Sequence, residues 1–162
     1  MDFHQALARL TSHTIFKDWH KKHADSFLAH GFMMLDEANK DIWQIGFYNP
    51  KTSKMTTFMV GKTIEHTVEQ EVLESGAPIQ NLSVEDVKVS PEKALSIAKE
   101  LLKKEFAKEL PIKEFFIIQR IEGKTVFNIT YFTQSFKTVN IKIDAKSGEI
   151  ISKNIQALMD FG

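Results

Sequence analysis

The chain has 162 residues, of which 43% are apolar and 26% charged, and its formal net charge is zero. That length suits one ordinary domain or two small units sharing a core, and the composition is globular rather than disordered. Cysteine is absent, which excludes disulfides, thiolate metal sites and cysteine nucleophiles, and the neutral balance gives no pull toward nucleic acid or anionic lipid.

Asp2 to about His23 reads as a helix. Phe3, Leu7, Leu10 and Thr14 keep helical spacing, and Ile15 and Trp19 continue the stripe with a shifted phase, so a break near Ser12 is open. Lys21, Lys22 and His23 suit its carbonyl end. Strands follow. Phe32–Leu35 is a short apolar run, which His30-Gly31 can open. Ile42–Tyr48 places Trp43, Ile45 and Phe47 on one face. The Asn49-Pro50-Lys51-Thr52 turn returns the chain through Lys54–Val60. After Gly61-Lys62, β-branched residues favour a strand over Thr63–Leu73.

The stretch "ESGAPIQNLS" concentrates Gly, Pro, Asn and Ser and marks a linker. Ser90 then caps a helix with Pro91 at its first position, and Ala94, Leu95, Ala98, Leu101, Leu102 and Phe106 form its apolar face until Pro111 stops it. Three further strand signals close the chain. These are Phe115–Ile121, Thr125–Thr133, and a hairpin of Lys137–Asp144 with Glu149–Ile155 about Lys146-Ser147-Gly148. The tail "ALMDFG" caps the last strand or packs across it.

Both halves therefore run helix, then strands. Aligning them matches Phe32 with Phe116, Trp43 with Phe127, Ile45 with Ile129, Phe47 with Tyr131, Val60 with Ile143 and Ile64 with Ile151. The expected organisation is an α+β chain of two tandem units, each a helix packed on an antiparallel β-sheet. The units span 1–75 and 90–162, with a linker over 76–89. Each is small for independent folding, so the two should share an interface.

The stretches "SPEKALSIAKELL" and "VNIKIDAKSGEIIS" carry a resemblance to the PepSY domain over Val89–Ser152. In the second, Asp144 is placed to accept backbone N–H groups and Gly148 to take the positive φ that closes the turn. The first half is similar only in element order, and its turn "VGKTIE" lacks the Asp. The resemblance implies a curved, cystatin-like antiparallel sheet crossed by a helix. It also implies roles as propeptide-like inhibitors, chaperone-like modules or regulatory modules near cell-envelope proteins, and it supplies no catalytic residues.

Other constellations are weaker. His13, His20 and His23 would share a face of one continuous helix and, with Asp18 or Asp25, would form a zinc site; a solvated face near a cationic terminus is the simpler reading. Asp36-Glu37 and Glu69-Glu71 read as exposed charge, and Gly61-Lys62-Thr63 lacks the preceding glycine of a phosphate loop. In "FTQSFKTVNIK", Phe132 and Phe136 do not fit the core face taken by Phe127 and Tyr131. They are candidate partner-binding residues, or they line the seam between the halves, which is the reading favoured here.

The sequence thus predicts a non-catalytic module that binds a protein or peptide, with no cofactor, no metal, no nucleic acid and no membrane span. The alternatives are a small-molecule-binding or enzymatic domain with an aromatic-lined pocket, and a structural homodimer. No basic segment followed by an apolar stretch opens the chain, so the expected location is cytoplasmic. An extracytoplasmic location would follow if a signal or anchor had been removed.

Overall fold

A computed structural model describes residues 1–67, 69–72 and 77–158. The first helix is two helices, α1 (Phe3–Thr11) and α2 (Thr14–Lys22). Asp2 and Gln5 cap each other reciprocally at the start of α1, at 2.8 and 2.9 Å. The chain breaks at Ser12, and a ring nitrogen of His13 accepts the Ile15 N–H at 3.1 Å to start α2. The shifted apolar phase is the cause. One straight helix cannot turn Phe3, Ala6 and Leu10 and also Phe16 and Trp19 toward the same core, whereas two helices bury all five.

The strands are β1 (Phe27–Met34), β2 (Trp43–Asn49), β3 (Lys54–Val60), β4 (Ile64–His66) and β5 (Gln70–Glu71). The strand expected over Thr63–Leu73 is thus seen as two short pieces, and Val68 and Leu73 lie outside the described residues. After α3 (Pro91–Glu105) come β6 (Pro111–Ile121), β7 (Lys124–Thr133), β8 (Lys137–Asp144) and β9 (Ile150–Ala157). The Ser90 hydroxyl accepts the Lys93 N–H at 3.1 Å, and Pro91 occupies the first turn. α3 ends before Pro111, which opens β6 instead of merely stopping the helix. Of the tail "ALMDFG", residues 159–162 lie outside the described residues.

All pairings are antiparallel, in the order β4-β3-β2-β1-β6-β7-β8-β9, with β5 also on β3. The fold is α+β. The first strands of the two halves, β1 and β6, pair at the centre, and each half meanders outward from there. One hydrophobic cluster joins the three helices to the inward side chains of both halves.

The register supports most of the internal alignment. Trp43 pairs with Val60 as Phe127 pairs with Ile143, and Ile45 pairs with Phe58 as Ile129 pairs with Ile141. Two matches are off by one. Phe32 pairs with Ile117 and points away from the helices, whereas Phe116 is fully buried opposite Met33. Successive strand residues alternate faces, so a one-residue slip reverses the side chain. Likewise Ile143 pairs with Ile150, not Ile151, where Val60 pairs with Ile64.

Gly31 makes the central seam possible. A Cβ there would lie 2.4 Å from the Phe3 ring, so the bare backbone lets Phe3 settle over β1. Above that strand Trp43 meets Phe3 in a tilted contact at 5.2 Å and meets Phe116 of the other half edge-on at 5.6 Å. The described part, 77–89, of the stretch read from its composition as linker is packed. Leu82 and Val87 are buried, the Leu82 N–H donates to Leu28, and the N–H groups of Lys88 and Val89 donate to Ala145.

Candidate functional site

The helices cover one face of the sheet; the other, the open face, carries no helix among the described residues, and residues 77–80 line a cavity on it with His30 and Gln119. Across the open face runs a row of amides from β6 to β8. Asn128 donates to Gln119 at 3.0 Å, Asn140 donates to Asn128 at 2.6 Å and to Thr130 at 3.1 Å, and Lys142 donates to Asn140 at 3.1 Å. Next to it His30, paired with Gln119, packs its ring against Gly46, where a Cβ would lie 2.3 Å away. Burial holds the His30 ring below the ordinary histidine pKa, which favours its neutral form. Phe32 and Phe115 meet across the seam at 5.7 Å. The alternation of Asn128, Thr130 and Asn140 was visible in the sequence, but their mutual pairing depends on strand register.

The sheet ends at β9. All eight of its residues are exposed, and among the described residues no strand pairs with its outer edge. Ile150, Ile151, Ile155 and Leu158 are exposed apolar side chains along it. At one end lies the β7–β8 turn. The Phe136 carbonyl accepts the Leu158 N–H at 2.9 Å, so this turn extends the ladder of β9.

Phe136 is 64% exposed, and its φ of 57° is an uncommon conformation for a bulky residue. Its turn is held from below by Glu109. That carboxylate accepts from the hydroxyls of Thr133, at 2.8 Å, and Ser135, and pairs with Lys137 at 3.3 Å. Hydrogen bonding from Ser135 and then Thr133 depresses the Glu109 pKa, against the effect of burial. Phe132 is half-buried on the open face, between Lys113 and Thr138. The favoured seam reading of the two phenylalanines is therefore wrong. The seam is β1–β6, lined by Trp43 and Phe116 within and by Phe32 and Phe115 without, and Phe132 and Phe136 belong to β7 and the turn after it.

The turn read from the sequence as a signature has the expected geometry. Asp144 accepts from the N–H groups of Lys146, at 2.8 Å, and Ser147, at 3.1 Å, and Gly148 has φ of 81°.

The histidine triad does not assemble. His13 caps α2, and His20 stacks on Phe16 at 5.3 Å. His23 stacks on Trp19 at 4.8 Å and meets Glu69 at 2.5 Å. Among the described residues, no three His, Asp or Glu side chains are grouped to hold a metal. Glu37 pairs with Lys40. The Gly61-Lys62 turn presents carbonyls, not N–H groups, to the Arg9 guanidinium. No helix among the described residues is long and apolar enough to cross a membrane.

The PepSY family model, described as "Peptidase propeptide and YPEB domain", matches residues 88–154. No curated protein matches the chain. Among solved structures, a "putative lipoprotein" from Clostridium difficile 630 is similar in fold, with a TM-score of 0.55 at 13% identity over 88% of this chain and 90% of that one. The second half of the chain, over residues 88–154, thus carries the PepSY match to which its capped helix and Asp144 turn pointed.

Proposed function

We propose that the protein is a non-catalytic module that binds a polypeptide partner as an added strand on the outer edge of β9, with Phe136 as an apolar anchor at its end. The observation that carries this reading is the edge itself. An eight-residue strand with exposed apolar side chains and, among the described residues, no covering element is a template for another chain's main-chain hydrogen bonds. The PepSY match supports a binding or regulatory role over a catalytic one. A bulky residue held exposed at positive φ on a pinned turn is a strained feature of the kind that collects at functional sites. Phe132, half-buried beside the same turn, is the second candidate contact.

The test is capture of a defined partner from the native host, with wild type compared with Ile151→Lys/Ile155→Lys and with Phe136→Ser. All three should melt alike, because these side chains are exposed. The edge variant should lose the partner, and Phe136→Ser should weaken capture by roughly tenfold or more. Equal capture by all three proteins would refute the edge. Sedimentation of the purified chain identifies the competing occupant: a dimer abolished by the edge substitutions would mean that a second copy, not a foreign partner, fills it.

The lipoprotein name of the fold neighbour favours an extracytoplasmic setting over the cytoplasmic expectation. Fractionation of the native host decides between the two.

A further inference from the structure

Under the C-terminal half of α3 lies a groove of about 280 Å³, separate from the β9 edge. It falls near the lower limit of ligand-pocket sizes, enough for a single-ring molecule. Leu102 and Phe106 form an apolar wall. Lys99 and Lys103, one turn apart on the same helix face, are exposed at the mouth. The inner end is made by Glu114 and Tyr131, directly paired across β6 and β7.

Tyr131 is only 1% exposed, and its hydroxyl has no well-formed hydrogen bond among the described residues, although it lies close enough to the Glu114 carboxylate to interact with it. A buried hydroxyl left unpaired costs stability, and few such groups persist in native proteins without a reason. Burial raises the Tyr131 pKa, with Glu114 adding to it, so the phenol stays neutral. Burial also raises the Glu114 carboxyl, while Lys99 and the nearby Tyr131 hydroxyl act against it.

We propose that this groove binds a small amphiphile with three parts. An anionic group is held at the mouth by Lys99 and Lys103, and an aromatic body lies against Leu102 and Phe106. A hydrogen-bonding group at the inner end donates to Glu114 and accepts from the Tyr131 hydroxyl. A para-hydroxyphenyl carboxylate is the simplest molecule with this layout. The inner hydroxyl supplies the well-aligned partner that Glu114 does not give Tyr131, and the charge order, cations outside and carboxylate inside, sets the orientation.

The experiment is a titration of the isotope-labelled full chain, followed by amide chemical shifts, with three probes. These are para-hydroxyphenylpropionate, phenylpropionate, which lacks the inner donor, and tyramine, which carries a cation in place of the anion. The hydroxylated acid should saturate at a Kd of ~1 mM or below and shift the amides of Leu102, Phe106, Glu114 and Tyr131. It should bind at least roughly fivefold tighter than either other probe, because a polar site penalises a ligand that leaves it unpaired.

Tyr131→Phe removes a poorly satisfied hydroxyl and should fold as well as wild type, yet it should reduce the preference for the hydroxylated acid over phenylpropionate. Lys99→Gln/Lys103→Gln should weaken both acids and bring tyramine level with them. Absence of saturable shifts in the groove, equal binding of the three probes, or a preference that survives Tyr131→Phe would each overturn the proposal.

Discussion

Single residues decide how the two halves meet and how the second half closes. Gly31 has no side chain because Phe3 occupies that space; the atom an alanine would add comes within 2.4 Å of the ring. Gly31→Ala should therefore destabilise the protein by about 1–3 kcal/mol through overpacking, measured by denaturant unfolding. A neutral result would mean that Phe3 is not needed over β1.

Asp144 acts electrostatically. Burial is the largest influence on its carboxyl and pushes the pKa up, but the N–H groups of Lys146 and Ser147, with Lys124, overcome it and leave the pKa below the ordinary value of 3.8. A depressed folded pKa stabilises above the unfolded pKa, and this contribution fades as pH falls below 3.8 toward the folded value. The stability gap between wild type and Asp144→Asn should accordingly narrow through that acid range and stay constant from there to neutral pH. The Asp144 turn was legible in the sequence because its partners are two and three residues away. The Glu109 cluster was not, since Thr133, Ser135 and Lys137 are brought to it only by tertiary folding.

At the scale of elements, local signals placed α3, β3 and β8 well, because Ser90, Pro91 and clean two-residue alternation act within a few positions. The break between α1 and α2 was visible only as a phase shift, and its cause is a shared core that no local signal reports. β1 begins at Phe27, five residues before the apolar run that marked it, because its pairing with β2 and β6 extends the strand beyond its own propensity.

The β8–β9 hairpin carries a direct test. Gly148 lies at φ of 81°, and a Cβ there would make only ordinary contacts, 3.6 Å from Ile97 and 3.8 Å from Val89. The penalty of Gly148→Val is therefore conformational, on the order of 1–2 kcal/mol. An unchanged melting temperature would contradict the turn geometry.

For the whole molecule, the sheet passes without interruption from one half to the other. The β1–β6 ladder and the Phe3–Trp43–Phe116 cluster leave neither half a complete core of its own. The chain should therefore unfold in one calorimetric transition whose van't Hoff and calorimetric enthalpies agree, and two separable transitions would contradict the shared core. The central functional claim is that a polypeptide joins this sheet at β9. Hydrogen–deuterium exchange of the chain with and without its captured partner tests it most directly. The account predicts that partner binding slows exchange of amides within Ile150–Ala157 and at Phe136, while the open-face residues around Phe32 and Phe115 are unaffected. Protection confined to that open face, with β9 exchanging as fast as in the free protein, would contradict it.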